Sequence, residues 1–133
     1  MSVSDPIADF LTRIRNATRV KHQRVDVPAS GLREEITKLL LREGYVRNYK
    51  RIEDGRQGVL RIYLKYDNQD GSSIIEGIKR TSTPGRRVYI GKKDIPRVRG
   101  GLGTAVISTP QGVLTGVEAR RAGVGGELLA SVW

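Results

Sequence analysis

The chain has 133 residues, with 24 Lys and Arg against 14 Asp and Glu, a net charge of +10, one histidine and no cysteine. About half of it is apolar or glycine, a share a charged disordered tail lacks, so it should fold around one compact core or two small abutting ones. Without cysteine there are no disulfides, thiolate metal sites or thiol nucleophiles. Met1-Ser-Val-Ser-Asp-Pro carries no basic stretch followed by an apolar run, and nowhere do about 18 apolar residues come together, so a cytoplasmic protein without a membrane span is expected.

Residues 5 to 17 place Ile7, Phe10, Leu11, Ile14 and Ala17 at helical spacing, with Asp5 suited to cap the helix and Pro6 to open it. The opposite face carries Thr12, Arg13, Arg15, Asn16 and then Arg19, either a solvated polar face or a set of donors for RNA. Val20, Val25 and Val27 predict a strand that stops at Pro28, and Leu32, Ile36, Leu39 and Leu40 predict a second helix behind Ser30 that ends at Gly44. Tyr45 to Ile52 and Val59 to Tyr66 predict a hairpin whose second strand alternates Leu60, Ile62 and Leu64 with Arg61, Tyr63 and Lys65. Residues 1–66 therefore form an α-β-α-β-β domain with two helices on one side of a small sheet, and Asp67 to Ser72 reads as a linker. Residues 73–133 are predicted to be mostly β, with strands at Ser73 to Lys79, Arg87 to Ile90, Thr104 to Thr109 and Leu128 to Val132. Thr115-Gly-Val-Glu118 fits a capping box, which opens one short helix reaching to about Gly123. The fold class is α+β in two small domains.

A charge of +10 on so small a body favours a polyanion, because Lys and Arg that neutralise phosphates release condensed counterions; the alternative is a basic surface kept for solubility. Residues 79–99 hold Lys79, Arg80, Arg86, Arg87, Lys92, Lys93, Arg97 and Arg99 with Asp94 as the lone acid. Pro84, Gly85, Gly91 and Pro96 break any periodicity there, so loops that follow an irregular backbone are expected, which favours RNA over duplex DNA. A nucleotide loop is excluded: Gly85 to Gly91-Lys92 has one intervening residue too many, and Lys93 stands where a magnesium-binding hydroxyl is needed. Catalysis has little to work with, since His22 is the lone histidine and the helix-start carboxylates are explained by capping; metal-binding clusters are lacking too. In Gly103 to Arg120 an apolar strand delivers Ser108 and Thr109 to a sharp turn, where the hydroxyls either bond RNA at close approach or merely close a hairpin.

Ser4 to Ala17, Pro84-Gly-Arg-Arg-Val-Tyr89, Gly103 to Arg120 and the terminal Gly-Gly-Glu-Leu-Leu-Ala-Ser-Val-Trp resemble, in order and over the whole chain, the bacterial form of the small-subunit ribosomal protein eight family. The resemblance implies a primary binder of the central domain of small-subunit ribosomal RNA, without enzymatic activity or cofactor, that helps assemble the subunit platform beside proteins five and twelve. It implies a monomer outside the ribosome, and a messenger RNA that imitates the ribosomal site as an alternative partner. It places the main RNA-reading surface at Ser108, Thr109, Gly112, Gly125, Gly126 and Glu127, and a second contact at Thr12, Arg13, Arg15 and Asn16. The cations Arg86, Arg87, Lys92 and Lys93 of the basic window complete the expected RNA-binding set. Two departures stand out: Pro110 and Gln111 occupy the turn where the family has Ser and Lys, and Ala130 replaces a cysteine.

Overall fold

A computed structural model describes residues 5–133; Met1 to Ser4, on which the expectation of no leader and the first residue of the opening motif fall, lie outside the described residues. In chain order the elements are α1 (Pro6–Arg19), β1 (Arg24–Pro28), α2 (Gly31–Arg42), β2 (Val46–Ile52), β3 (Val59–Leu64), β4 (Ile78–Arg80), β5 (Tyr89–Ile90), a 3-10 turn (Val98–Gly101), β6 (Thr104–Thr109), β7 (Gly112–Thr115), α3 (Gly116–Ala122) and β8 (Gly126–Val132). The class is α+β. Two compact units share these elements: Phe10–Glu76, and Gly77–Trp133 together with residues 5–9.

In α1 the periodic apolar residues Phe10, Leu11, Ile14 and Ala17 are buried, while Thr12, Arg13 and Asn16 are exposed. Asp5 caps it by accepting from the Ala8 N–H at 3.1 Å. The helix closes with Lys21 N donating to the Thr18 carbonyl and His22 N to that of Ala17, which puts Lys21 in the left-handed region at φ 58°. This closure leaves Val20 exposed and delays the first strand to Arg24, four residues beyond where the valines suggested. Helix α2 starts as the sequence predicts, with the Ser30 hydroxyl accepting from Arg33 N at 3.1 Å. Gly44, at φ 82°, ends it, and the N–H of Tyr45 reaches back to the Leu40 carbonyl at 2.8 Å. The sheet is antiparallel in the order β1-β3-β2, with Leu60, Ile62 and Leu64 buried and Arg61 and Tyr63 alternating onto the opposite face. Residues 67–72 form a tight turn in which the Asp67 carboxylate accepts from the N–H groups of Gln69 and Asp70, and Tyr66 pairs with Ser73 beyond it.

In the other unit β8 is central: one of its edges pairs with β6, which continues to β7, and the other edge is shared by β4 and β5. One face of this sheet buries Ala105, Ile107 and Leu128 together with Ala119 of α3 and Ile95. The capping box of α3 is formed in both directions, Thr115 N to Glu118 Oε1 at 2.9 Å and Glu118 N to Thr115 Oγ1 at 3.1 Å.

Two further strand expectations need correction, and one strand is added. The strand predicted over Ser73 to Lys79 begins only at Ile78, because Gly77 exchanges both backbone hydrogen bonds with Trp133 at 2.9 and 3.0 Å and ends the irregular stretch there. The strand over Arg87 to Ile90 shrinks to Tyr89–Ile90, since Val88 N is drawn to the Ser82 hydroxyl at 3.0 Å instead of a ladder partner. An unpredicted strand, β7, arises because the Pro110-Gln111 turn folds Gly112–Thr115 back onto β6.

Candidate nucleic-acid interface

The register of the C-terminal sheet brings distant residues into one row. Ser108 of β6 lies opposite Glu127 of β8, and Glu127 lies opposite Tyr89 of β5. Directly opposed residues share a face, so these side chains line up on the side away from Ile107 and Leu128. Tyr89 is 71% exposed, an unusual state for so large a ring. The exposed cations Arg86 and Arg87 precede it and Lys92 and Lys93 follow it, so the row ends in an aromatic surface set among positive charges. Tyr89 was not singled out as a site residue, although an aromatic inside the basic window was the available signal.

The three glycines of the expected site play backbone roles. A Cβ on Gly126 would collide with the Ser108 carbonyl, its oxygen worst, and lie 3.1 Å from the Thr109 Cα; one on Gly125 would collide with the Ile90 carbonyl oxygen and lie 2.9 Å from the Gly91 Cα. These two residues thus let β8 start between β5 and β6 with backbone against backbone. Gly112 has φ 105°, which lets it follow the Pro110-Gln111 turn.

The two hydroxyls behave differently. Thr109 Oγ1 donates to the Gly112 carbonyl at 2.8 Å and accepts from Gln111 N at 3.0 Å, so it closes the turn from within. The Ser108 hydroxyl, half-buried, makes no hydrogen bond among the described residues. Of the pair, it is the hydroxyl that the described residues leave unengaged. Pro110 and Gln111 form the exposed tip of the turn.

Glu127 is held inward. Its Oε2 accepts from the buried Ser82 hydroxyl at 2.6 Å and from Arg87 NH1 at 2.9 Å. Burial pushes its pKa up, but the hydrogen bonds from Ser82 and Arg87 and the charges of Arg87 and Arg80 outweigh that, and the carboxyl is held below its ordinary value. The carboxylate is therefore ionised and neutralised from within, and it ties the loop before β5 to β8. Arg86, Lys92 and Lys93 form no ion pair among the described residues, so their charge faces solvent.

Thr12, Arg13, Arg15 and Asn16 lie on α1, in the unit Phe10–Glu76. Thr12, Arg13 and Asn16 are exposed and Arg15 is partly covered; Arg13 NH1 also reaches the Asp26 carbonyl at 3.3 Å. Among the described residues no helix is long and apolar enough to cross a membrane.

The profile of the family described as ribosomal protein S8 matches residues 5–133. Three relatives, each named small ribosomal subunit protein uS8, align over nearly the full length. The protein of Acidobacterium capsulatum is 55% identical over 133 residues, covering 100% of both chains. That of Ruminiclostridium cellulolyticum is 56% identical over 133 residues with the same coverage. That of Fervidobacterium nodosum is 56% identical over 132 residues, 98% of each chain.

Proposed function

Because the chain belongs to the ribosomal protein S8 family, we propose that it is a structural, non-catalytic component of the small ribosomal subunit in the cytoplasm, where it binds the central domain of the small-subunit ribosomal RNA. It helps that RNA fold into the subunit platform, beside proteins five and twelve, and is a monomer before it assembles. The observation that carries this reading is the row Ser108, Glu127 and Tyr89, with its carboxylate neutralised internally and free cations around its aromatic end.

Each part of the row suits a different component of RNA. The Tyr89 ring offers a π-face on which an unpaired base stacks. The Ser108 hydroxyl, donor and acceptor at once, suits a base edge or a 2′-hydroxyl. Arg86, Lys92 and Lys93 supply the sequence-independent attraction to phosphates. The neighbouring side chains are small or turned inward, so RNA backbone can come close to the start of β8. Thr12, Arg13, Arg15 and Asn16 give α1 the donors for a second RNA segment.

The test compares small-subunit RNA with an unrelated duplex over a salt series. Lys92→Ala with Lys93→Ala should weaken binding to both RNAs alike and reduce the slope of log affinity against log salt by about one to two. Ser108→Ala should weaken binding to the specific RNA alone, with the slope unchanged. Equal losses on both RNAs for Ser108→Ala would overturn the assignment of the row as a reading surface.

A further inference from the structure

The outer face of the three-stranded sheet carries charge and an aromatic ring that the fold itself does not require. Across β1, β2 and β3 there are five cations, Arg24, Arg47, Lys50, Arg51 and Arg61, against the single carboxylate of Asp26. Asp26 is already matched: both its oxygens accept from Arg61, at 2.9 and 3.1 Å. Arg51 turns to the other side, where it pairs with Glu34 of α2 at 2.9 Å. Arg24, Arg47 and Lys50 remain exposed around Tyr63 on the central strand.

Register explains how they converge. Tyr63 lies opposite Arg24 on one side and Asn48 on the other. A bulge between Val46 and Asn48 swings Arg47 out of the ladder, so that its guanidinium stands 5.8 Å from the Tyr63 ring centre, and the Lys50 ammonium stands 5.7 Å from it. At these distances the two cations lie over the half-buried ring without packing flat against it. Beside the ring opens a cavity of about 380 Å³ lined by His22, Gln23, Arg24, Arg47 and Tyr63. A second, of about 360 Å³, shares Gln23 and Arg47 with it and extends past Lys65 to Asn68. The two adjoin at Gln23 and Arg47, and Leu64 and Tyr66 complete the lining of the second.

We propose that this face is a further RNA contact, beyond the Ser108 row and α1, in which an unpaired base stacks on Tyr63 and its flanking phosphates lie on Arg24, Arg47 and Lys50. The inference rests on the chain being an RNA-binding protein, but it uses a surface separate from the Ser108 row. Charge decides the sign of the partner: the exposed cations stand on a sheet face whose one strand carboxylate, Asp26, is already satisfied. The make-up of the surface decides between RNA and an acidic protein. Protein interfaces bury an apolar centre, whereas here Tyr63 and Tyr66 stand among cations and the amides of Gln23, Asn48 and Asn68, whose donors and acceptors match base edges.

The probe is a fluorescently labelled uridine dodecamer at fixed low salt, with the Lys92→Ala, Lys93→Ala protein as background so that the basic window contributes less. Tyr63→Ala should bind about tenfold more weakly than that background protein, and Tyr63→Phe, which keeps the ring, should match it within about twofold. Ultraviolet irradiation of the wild-type complex should attach uridine to the peptide carrying Tyr63, a readout independent of any variant's stability. Unchanged affinity for Tyr63→Ala with no crosslink at that peptide would overturn the proposal. So would assembled small subunits in which this face crosslinks to protein and not to RNA. Failure of the Ser108 row to read its RNA would leave the Tyr63 results unaltered, so the two assignments fail separately.

Discussion

Replacing Gly126 with alanine asks whether this glycine serves the RNA or the fold. The added methyl would enter the space held by the Ser108 carbonyl and sit 3.1 Å from the Thr109 Cα, so it meets the backbone of a central strand and not a side chain that can rotate away. Gly126 is not in the left-handed region, so the substitution carries no conformational strain of its own. Forcing a methyl into a packed interior costs about 1 to 3 kcal/mol, and a backbone obstacle belongs at the upper end. Against this, alanine restricts the unfolded chain and returns about 0.4 to 1 kcal/mol. The net expectation is a loss of about 2 kcal/mol in the free protein. With a urea slope of about 1 to 3 kcal/mol per molar, the unfolding midpoint should fall by roughly one molar with the slope unchanged. Urea titration followed by circular dichroism, without RNA, measures this directly. If Gly126→Ala melts like wild type yet loses its specific RNA, the glycine is there for the approach of RNA and the packing argument for β6 and β8 fails.

Glu127 holds its proton less tightly in the folded chain than its ordinary pKa of 4.5 would have it. A depressed carboxyl stabilises the fold above the unfolded value and loses that contribution as pH falls through the folded one, so stability measured by urea midpoint should drop below about pH 4.5, and less steeply in Glu127→Gln. At neutral pH, Glu127→Ala strands the buried Ser82 hydroxyl and should cost about 1 to 3 kcal/mol, seen as a lower midpoint. Thr109→Val removes both hydrogen bonds of the Pro110-Gln111 turn and should lower stability by about 1 kcal/mol, while Thr109→Ser should restore it; equal midpoints for all three would mean that the hydroxyl does not hold the hairpin. Phe10 is fully buried, and Phe10→Ala should cost about 3 to 5 kcal/mol, whereas Arg13→Ala, on the exposed face, should barely move the melting temperature; the reverse would mean that the rotation of α1 is wrong.

What the sequence determined by itself was local. Helix α1, its buried Phe10 and Ile14 and its Asp5 cap follow from spacing within a few residues, as do the capping box of α3 and the alternation of β3, because these patterns are enforced by the chain's own backbone geometry. The family was legible for a related reason, since several runs survive intact and in order. The tertiary structure alone decided how distant segments meet. Ser82 reaches Glu127 across 45 residues and Arg61 reaches Asp26 across 35, separations at which no periodicity carries information. The start of the strand at Ile78 depended on Trp133 at the other end of the unit, and the roles of Gly125 and Gly126 depended on carbonyls of β5 and β6. The same holds at the turn, where Ser108 and Thr109 look alike in sequence. Only the return of Gly112 onto β6 engages the Thr109 hydroxyl and leaves that of Ser108 open, because a side chain's availability is set by what the fold brings within hydrogen-bond distance of it.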